Sequence, residues 1–72
     1  MTIDEILKSI RKEQNISQET LARNLNVSYA TLNRWENNKV KPSRLAMDKI
    51  KDYCAKQKLP KELDVEIKQL KS

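Results

Sequence analysis

The 72-residue chain has the size of one small domain, because it is too short to bury two separate hydrophobic cores. Glycine and phenylalanine are absent, prolines number two, and 35% of the residues are charged against 38% hydrophobic. Strands would require more β-branched and aromatic residues and more turn glycines, so the composition predicts an all-α domain over residues 1–72. The net charge of +5 favours a polyanionic partner, although it also fits a solvated lysine-rich surface.

Missing residue types limit the chemistry of the chain. Histidine is absent and Cys54 is the only cysteine, so one chain cannot build a zinc site, a structural disulfide or a histidine-based catalytic pair. No glycine-rich phosphate loop is present, and we therefore expect no enzymatic activity, cofactor, metal or small-molecule substrate. The first residues, MTIDEILKSIRKEQ, contain early acids and no long apolar run, which argues against a signal peptide or membrane span and favours a cytoplasmic location.

A capping-box pattern marks the start of the first helix. Thr2 is followed three residues later by Glu5, and the apolar residues after them recur at helical spacing. The pattern predicts a helix over about Ile3–Gln14, with Asn15 closing it in the left-handed backbone conformation. Its apolar stripe consists of Ile3, Ile6, Leu7 and Ile10.

The next two helices share one capping pattern. Ser17 and Ser28 are good N-caps, which predicts a second helix over Gln18–Leu25 and a third over Tyr29 to Glu36 or Asn37. The second helix should bury Leu21, Ala22 and Leu25. Only Asn26, Val27 and Ser28 connect the two helices, so they must cross steeply and present the second one outward. The segment over about 17–37 therefore reads as a helix-turn-helix, whose expected ligand is double-stranded DNA.

At about 100° per residue, the third helix has two distinct faces. Leu32 and Trp35 share one face, which we expect to point inward. The other face carries hydrogen-bonding groups and one small residue: Tyr29, Ala30, Asn33, Arg34 and Asn37.

Two more helices complete the predicted domain. Ser43 is the N-cap of the fourth helix, which should bury Ala46, Ile50, Tyr53 and Cys54, with Leu45 or Met47 at the edge. Pro60 is expected at the first position of a fifth helix over about 60–71. Its apolar residues, Leu63, Ile67 and Leu70, fit either a lid on the core or a dimer seam.

With these residues laid out, the segment over 10–43 resembles the helix-turn-helix of the Cro and phage-repressor family, also called the xenobiotic response element family. The matching features are Ser17-Gln18, Leu21-Ala22, Asn26-Val27-Ser28, Trp35-Glu36-Asn37 and Lys41-Pro42-Ser43. Asn26 and Asn38 stand where the family commonly has glycine, and asparagine tolerates the same backbone angles. The resemblance implies a five-helix, lambda-repressor-like fold in a protein of bacterial or phage type.

The resemblance also implies roles for individual residues. The third helix would enter the major groove and read bases with Ser28, Tyr29, Ala30, Asn33 and Arg34. The residues that would contact the DNA backbone are Gln18, Asn37, Lys39, Lys41 and Arg44. Arg11 and Glu36 match a structural pair of the family and are not expected to touch DNA. The hydrogen-bonding groups of an arginine can bind N7 and O6 of guanine, and those of an asparagine can bridge adenine.

The first functional hypothesis is a sequence-specific transcriptional repressor that binds a palindromic site as a homodimer and is associated with the nucleoid. The alternative is a protein-interaction module such as an antitoxin or an adaptor, or the DNA-targeting part of a larger protein.

Overall fold

The computed structural model describes residues 1–70, which form five helices and no strand. The helices are α1 (Ile3–Gln14), α2 (Gln18–Leu25), α3 (Tyr29–Glu36), α4 (Arg44–Ala55) and α5 (Lys61–Lys68). The all-α prediction is confirmed, and the predicted bounds of α1 and α2 agree with the structure. None of the helices in this part of the chain is long and apolar enough to cross a membrane.

Polar side chains cap the starts of α1 to α4 as the sequence predicts. The Glu5 carboxylate accepts the backbone N–H of Thr2 at 2.9 Å and its hydroxyl at 2.8 Å. These bonds hold the pKa of Glu5 below its usual range. Ser17, Ser28 and Ser43 each accept a backbone N–H from three residues ahead, at 3.1, 3.1 and 3.2 Å. Each cap satisfies an N–H that the helix itself leaves without a partner.

Asparagine ends three helices in a chain that has no glycine. Asn15, Asn26 and Asn38 have φ values of 54°, 58° and 57°, in the left-handed region. The residue after each one closes the helix end by donating its N–H to a carbonyl five residues back, at 3.0 Å in all three cases. This is the Schellman arrangement, which normally uses glycine because a Cβ atom is costly there. Asparagine therefore sets the chain reversals after α1, α2 and α3.

All five helices contribute to one hydrophobic core. It comprises Ile3, Ile6, Leu7, Ile10, Leu21, Ala22, Leu25, Leu32, Trp35, Met47, Ile50, Cys54, Leu63 and Ile67. α3 packs against both α1 and α2, while α4 packs against α2 and α5, and α1 also meets α5. The position of α3 is thus fixed by the two helices that precede it.

The buried face of α4 differs in part from the prediction. Met47 lies in the core with Ile50 and Cys54, whereas Leu45 is 79% exposed. Ala46 and Tyr53 are half-buried and pack against the core from its rim. The spacing of three and four residues from Met47 to Ile50 to Cys54 follows one side of the helix, and Leu45 falls off that side.

The ends of α5 also differ from the prediction. Pro60 is the N-cap and not the first helical residue, because its ψ of 144° is extended and its carbonyl accepts the first helical bond from Asp64. The fixed φ of proline suits both positions, so sequence alone could not separate them. α5 ends at Lys68, short of the predicted end near residue 71, which lies outside the described residues.

The apolar face of α5 is a lid on the core. Leu63 and Ile67 are buried by the chain itself, and Leu70 is half-buried against them. Of the two readings that the sequence left open, the lid is the one that the structure shows for Leu63 and Ile67.

The left-handed position of Asn26 predicts a specific sensitivity to substitution. Asn26→Ala should lower the free energy of unfolding by about 1 kcal/mol, because alanine tolerates the left-handed conformation less well than asparagine does. Asn37→Ala is the matched control, since Asn37 is the C-cap of α3 and its φ of −92° is not left-handed. Urea unfolding followed by circular dichroism measures both variants. An equal loss in the two would show that the left-handed angle is not the cause.

Cys54 should be unreactive in the folded protein. Its side chain is 2% exposed, and burial, with a smaller contribution from the charge of Asp64, raises the pKa of the thiol to about 12. We expect iodoacetamide to label Cys54 in concentrated urea but only slowly under native conditions at mildly alkaline pH. Mass spectrometry over time gives both rates, and equal rates would contradict the buried position.

Candidate nucleic-acid interface

The connection between α2 and α3 is fixed at both of its ends. Asn26 turns the chain after α2, and the N–H of Val27 closes that helix on the carbonyl of Ala22 at 3.0 Å. Ser28 then starts α3 by accepting the N–H of Thr31. With only three residues between two capped ends, the angle between the helices has little freedom. The fold therefore presents α3 in one defined orientation on α2.

The two faces of α3 separate as the sequence predicts. Leu32 and Trp35 are buried, which confirms that Trp35 is a core residue. Glu36 joins them on the buried side. On the opposite side Tyr29 is 51% exposed, and Ala30 and Arg34 are exposed as well. The outward face is therefore accessible to a ligand while the inward face anchors the helix.

Two of the five predicted base-reading residues have polar groups already engaged. The Ser28 hydroxyl serves as the helix cap and also lies 2.7 Å from the Thr31 hydroxyl. Asn33 is half-buried, and its Oδ1 accepts Nδ2 of Asn37 at 3.0 Å. Tyr29 and Arg34 have no side-chain hydrogen bond among residues 1–70.

The residues predicted to contact the DNA backbone lie at the start of α2 and beyond the end of α3. Asn37, Lys39, Lys41 and Arg44 are exposed, and Gln18 is half-buried at the first position of α2. The salt bridges within residues 1–70 involve other cations, namely the N-terminus, Arg11, Lys56 and Lys68. Among residues 1–70, Lys39, Lys41 and Arg44 therefore form no salt bridge, and their charge is available for phosphates.

Arg11 and Glu36 form a bidentate salt bridge between α1 and α3. Nε of Arg11 donates to Oε2 of Glu36 at 2.8 Å, and Nη2 donates to Oε1 at 2.6 Å. Glu36 is 1% exposed and is the one charged residue buried among residues 1–70, while the Arg11 side chain is 26% exposed. The hydrogen bonds to Glu36 raise the pKa of Arg11 above its ordinary value. The pair fixes the last turn of α3 against α1, beneath the outward face.

A polar network that the sequence did not reveal joins α2 to α1 and α4. The Tyr53 hydroxyl donates to Oε1 of Gln14 at 2.6 Å and lies 3.3 Å from Nδ2 of Asn24, which donates to it. Nε2 of Gln14 donates in turn to Oε1 of Gln57 at 3.0 Å. These residues are 29 to 43 positions apart, so no local pattern could have shown the contact. The bond between Asn33 and Asn37, by contrast, has the four-residue helical spacing that a sequence reading could have noticed.

The fold and the accessible face of α3 define a DNA-binding helix-turn-helix domain. A family model described as helix-turn-helix matches residues 7–56, which is more than half of the chain. The chain therefore belongs to the Cro/C1-type, phage repressor-like helix-turn-helix family, as the resemblance implied. No curated protein and no solved structure matches it. The roles of individual residues in contacting DNA stay predictions.

Removing Arg11 should destabilise the fold strongly. Arg11→Ala leaves the Glu36 carboxylate buried without its partner, which costs about 3 kcal/mol or more of unfolding free energy. Lys56→Ala is the control, since the pair of Lys56 with Asp52 is exposed on both sides and is worth about 0.5 kcal/mol or less. Chemical denaturation of both variants gives the comparison. Equal effects would mean that the buried pair contributes no more than a surface pair.

Proposed function

We propose that this protein is a sequence-specific transcriptional repressor that binds double-stranded DNA as a dimer. The observation that carries the proposal is the division of α3. Leu32, Trp35 and Glu36 anchor the helix, while Tyr29 and Arg34 are exposed on its other side. An α-helix fits the major groove of B-form DNA, where each base pair displays a distinct pattern of donors and acceptors.

In this proposal Arg34 is the main reader of sequence. Its guanidinium can donate two hydrogen bonds to N7 and O6 of guanine, a pairing worth roughly 1 to 3 kcal/mol of discrimination. Its exposure, and the lack of a salt bridge to it among the described residues, support this role. Tyr29 and Ala30 can contact a thymine methyl group, and the Tyr29 hydroxyl can alternatively reach a phosphate.

The residues around the motif would position the protein without reading sequence. Lys39, Lys41 and Arg44 supply cations, and Gln18 and Asn37 supply hydrogen bonds to phosphate oxygens. The N-terminal N–H groups of α2 and α3 add fixed partial positive charge. Such contacts give affinity that falls with salt and orient α3 in the groove.

Dimeric binding would match a palindromic site with half-sites about one helical turn apart. The described structure buries Leu63 and Ile67 within one chain, so a dimer would form through surfaces other than that face of α5. Such a repressor would act on the nucleoid in the cytoplasm.

Selection of bound sequences from a random duplex pool at about 0.15 M salt tests the proposal. This physiological ionic strength weakens nonspecific attraction to phosphates, so that sequence-specific binding can be detected. Enrichment of a palindromic consensus would support sequence-specific, dimeric binding. Recovery of no consensus would favour the protein-interaction alternative.

Two substitutions distinguish recognition of bases from contact with the DNA backbone. Arg34→Ala should reduce the preference for the selected site over random DNA by about 5-fold or more, because a bidentate base contact is lost. Lys41→Ala should weaken binding to both DNAs and reduce the salt slope by about one. Binding titrations over a salt series measure these effects, with the exposed Lys58→Ala as control. An unchanged site preference in Arg34→Ala would overturn the assigned reading face.

A further inference from the structure

We propose that the side chains of Val40 and Leu45 contact a second copy of this chain when both copies are bound to one DNA duplex. The inference rests on the proposed function and names the surface through which its dimer forms. Val40 lies in the segment between α3 and α4, and Leu45 is the second residue of α4. These two residues are called the apolar pair below.

The apolar pair is exposed and has no place in the core. Leu45 is 79% exposed and Val40 is 51% exposed. Neither belongs to the hydrophobic core or packs against it within residues 1–70. Only four residues separate the two, so they lie within about 18 Å of each other even if the chain between them were fully extended. A single partner surface can therefore cover both side chains and remove them from water.

Cations surround the apolar pair. Lys39, Lys41 and Arg44 are its exposed neighbours in the chain, and none of them forms a salt bridge among residues 1–70. In free solution, two copies of this surface would therefore bring like charges together, which opposes their association. The same three cations are the proposed phosphate contacts. DNA would neutralise them and leave the apolar pair as the part of the surface without a partner.

The dimensions of the molecule fit two copies side by side on DNA. Its Cα atoms span 29 × 25 × 18 Å. Side chains extend about 3 Å beyond the Cα atoms of a helix, so the two longer dimensions become about 31 to 35 Å. Half-sites one helical turn apart are separated by about 34–36 Å. Two copies on the same face of the duplex therefore meet at their edges.

An edge contact of this kind is too small to hold a dimer in free solution. Stable interfaces bury about 1,200–2,000 Å² in total, whereas the apolar pair supplies two side chains from each copy. On one duplex the second copy is held at a high effective concentration, so a small contact is sufficient. An acidic protein would also complement the three cations, but it would have to displace DNA from them. A second copy leaves the phosphate contacts intact, and we therefore favour it as the partner.

Leu45→Ser tests the contact, and Val65→Ser is the matched control because Val65 is an exposed apolar residue of α5, 42% exposed. Titrations on duplexes with one and with two selected half-sites give the affinity of one copy and the cooperativity of two. The wild-type protein should bind the second half-site about 10-fold more tightly than the first, because an exposed leucine of each copy becomes buried. Leu45→Ser should reduce this ratio to about 3-fold or less without changing the affinity for one half-site. Circular dichroism confirms that each variant is folded.

A longer spacer tests the same contact without a substitution. Insertion of about five base pairs between the half-sites turns the second copy to the opposite face of the duplex. The cooperativity of the wild-type protein should then fall to the value of Leu45→Ser. Sedimentation of the wild-type protein without DNA, at micromolar concentration, should show a monomer.

The outcomes of these experiments are distinct. Loss of cooperativity in Leu45→Ser and with the longer spacer, but not in Val65→Ser, supports the inference. Cooperativity that persists in Leu45→Ser, or a wild-type dimer without DNA, overturns it while sequence-specific binding stands. Independent binding of the wild-type protein to the two half-sites also overturns it and favours an acidic protein as the partner of the apolar pair. If the wild-type protein enriches no sequence, the proposed function fails and the inference fails with it.

Discussion

The presentation of α3 depends on a carboxylate that is buried together with its partner. Glu36 is in the core, and the guanidinium of Arg11 meets both of its oxygens from α1. Withdrawing a charge from water is costly unless hydrogen bonds replace the lost solvent, and the bidentate geometry supplies them. Because Glu36 ends α3, the pair holds the last turn of the helix against α1. An eight-residue helix is too short to hold such a position by its own propensity.

The same helix is held at its other end by local chemistry. Ser28 caps its start, and the left-handed angle of Asn26 sets the turn that leads into it. The N-terminal end is thus fixed by neighbours in sequence and the C-terminal end by Arg11, which lies 25 residues away. The side chains between these ends divide into an inward set and an outward set. DNA binding, the property of this family, then depends in part on how the outward set fits a groove.

Asparagine takes two structural roles around this motif. Asn15, Asn26 and Asn38 replace glycine at the left-handed ends of helices. Asn33 and Asn37 instead use their side-chain amides, joined to each other on the outward side of α3. An amide can tolerate unusual backbone angles and also carry a directional hydrogen bond. In a chain without glycine, asparagine therefore supplies the left-handed helix ends.

Sequence by itself determined the helices, the turn and the two faces of α3, because caps and periodicity act between residues a few positions apart. It did not determine that Tyr53 bonds Gln14, because that contact joins residues 39 positions apart. It also left open which of Leu45 and Met47 is buried, and it misplaced the ends of α5. The Arg11 and Glu36 pair was implied by family resemblance, and the geometry came only with the fold. Packing decides such features because burial and long-range hydrogen bonds require the partner surface to be in place.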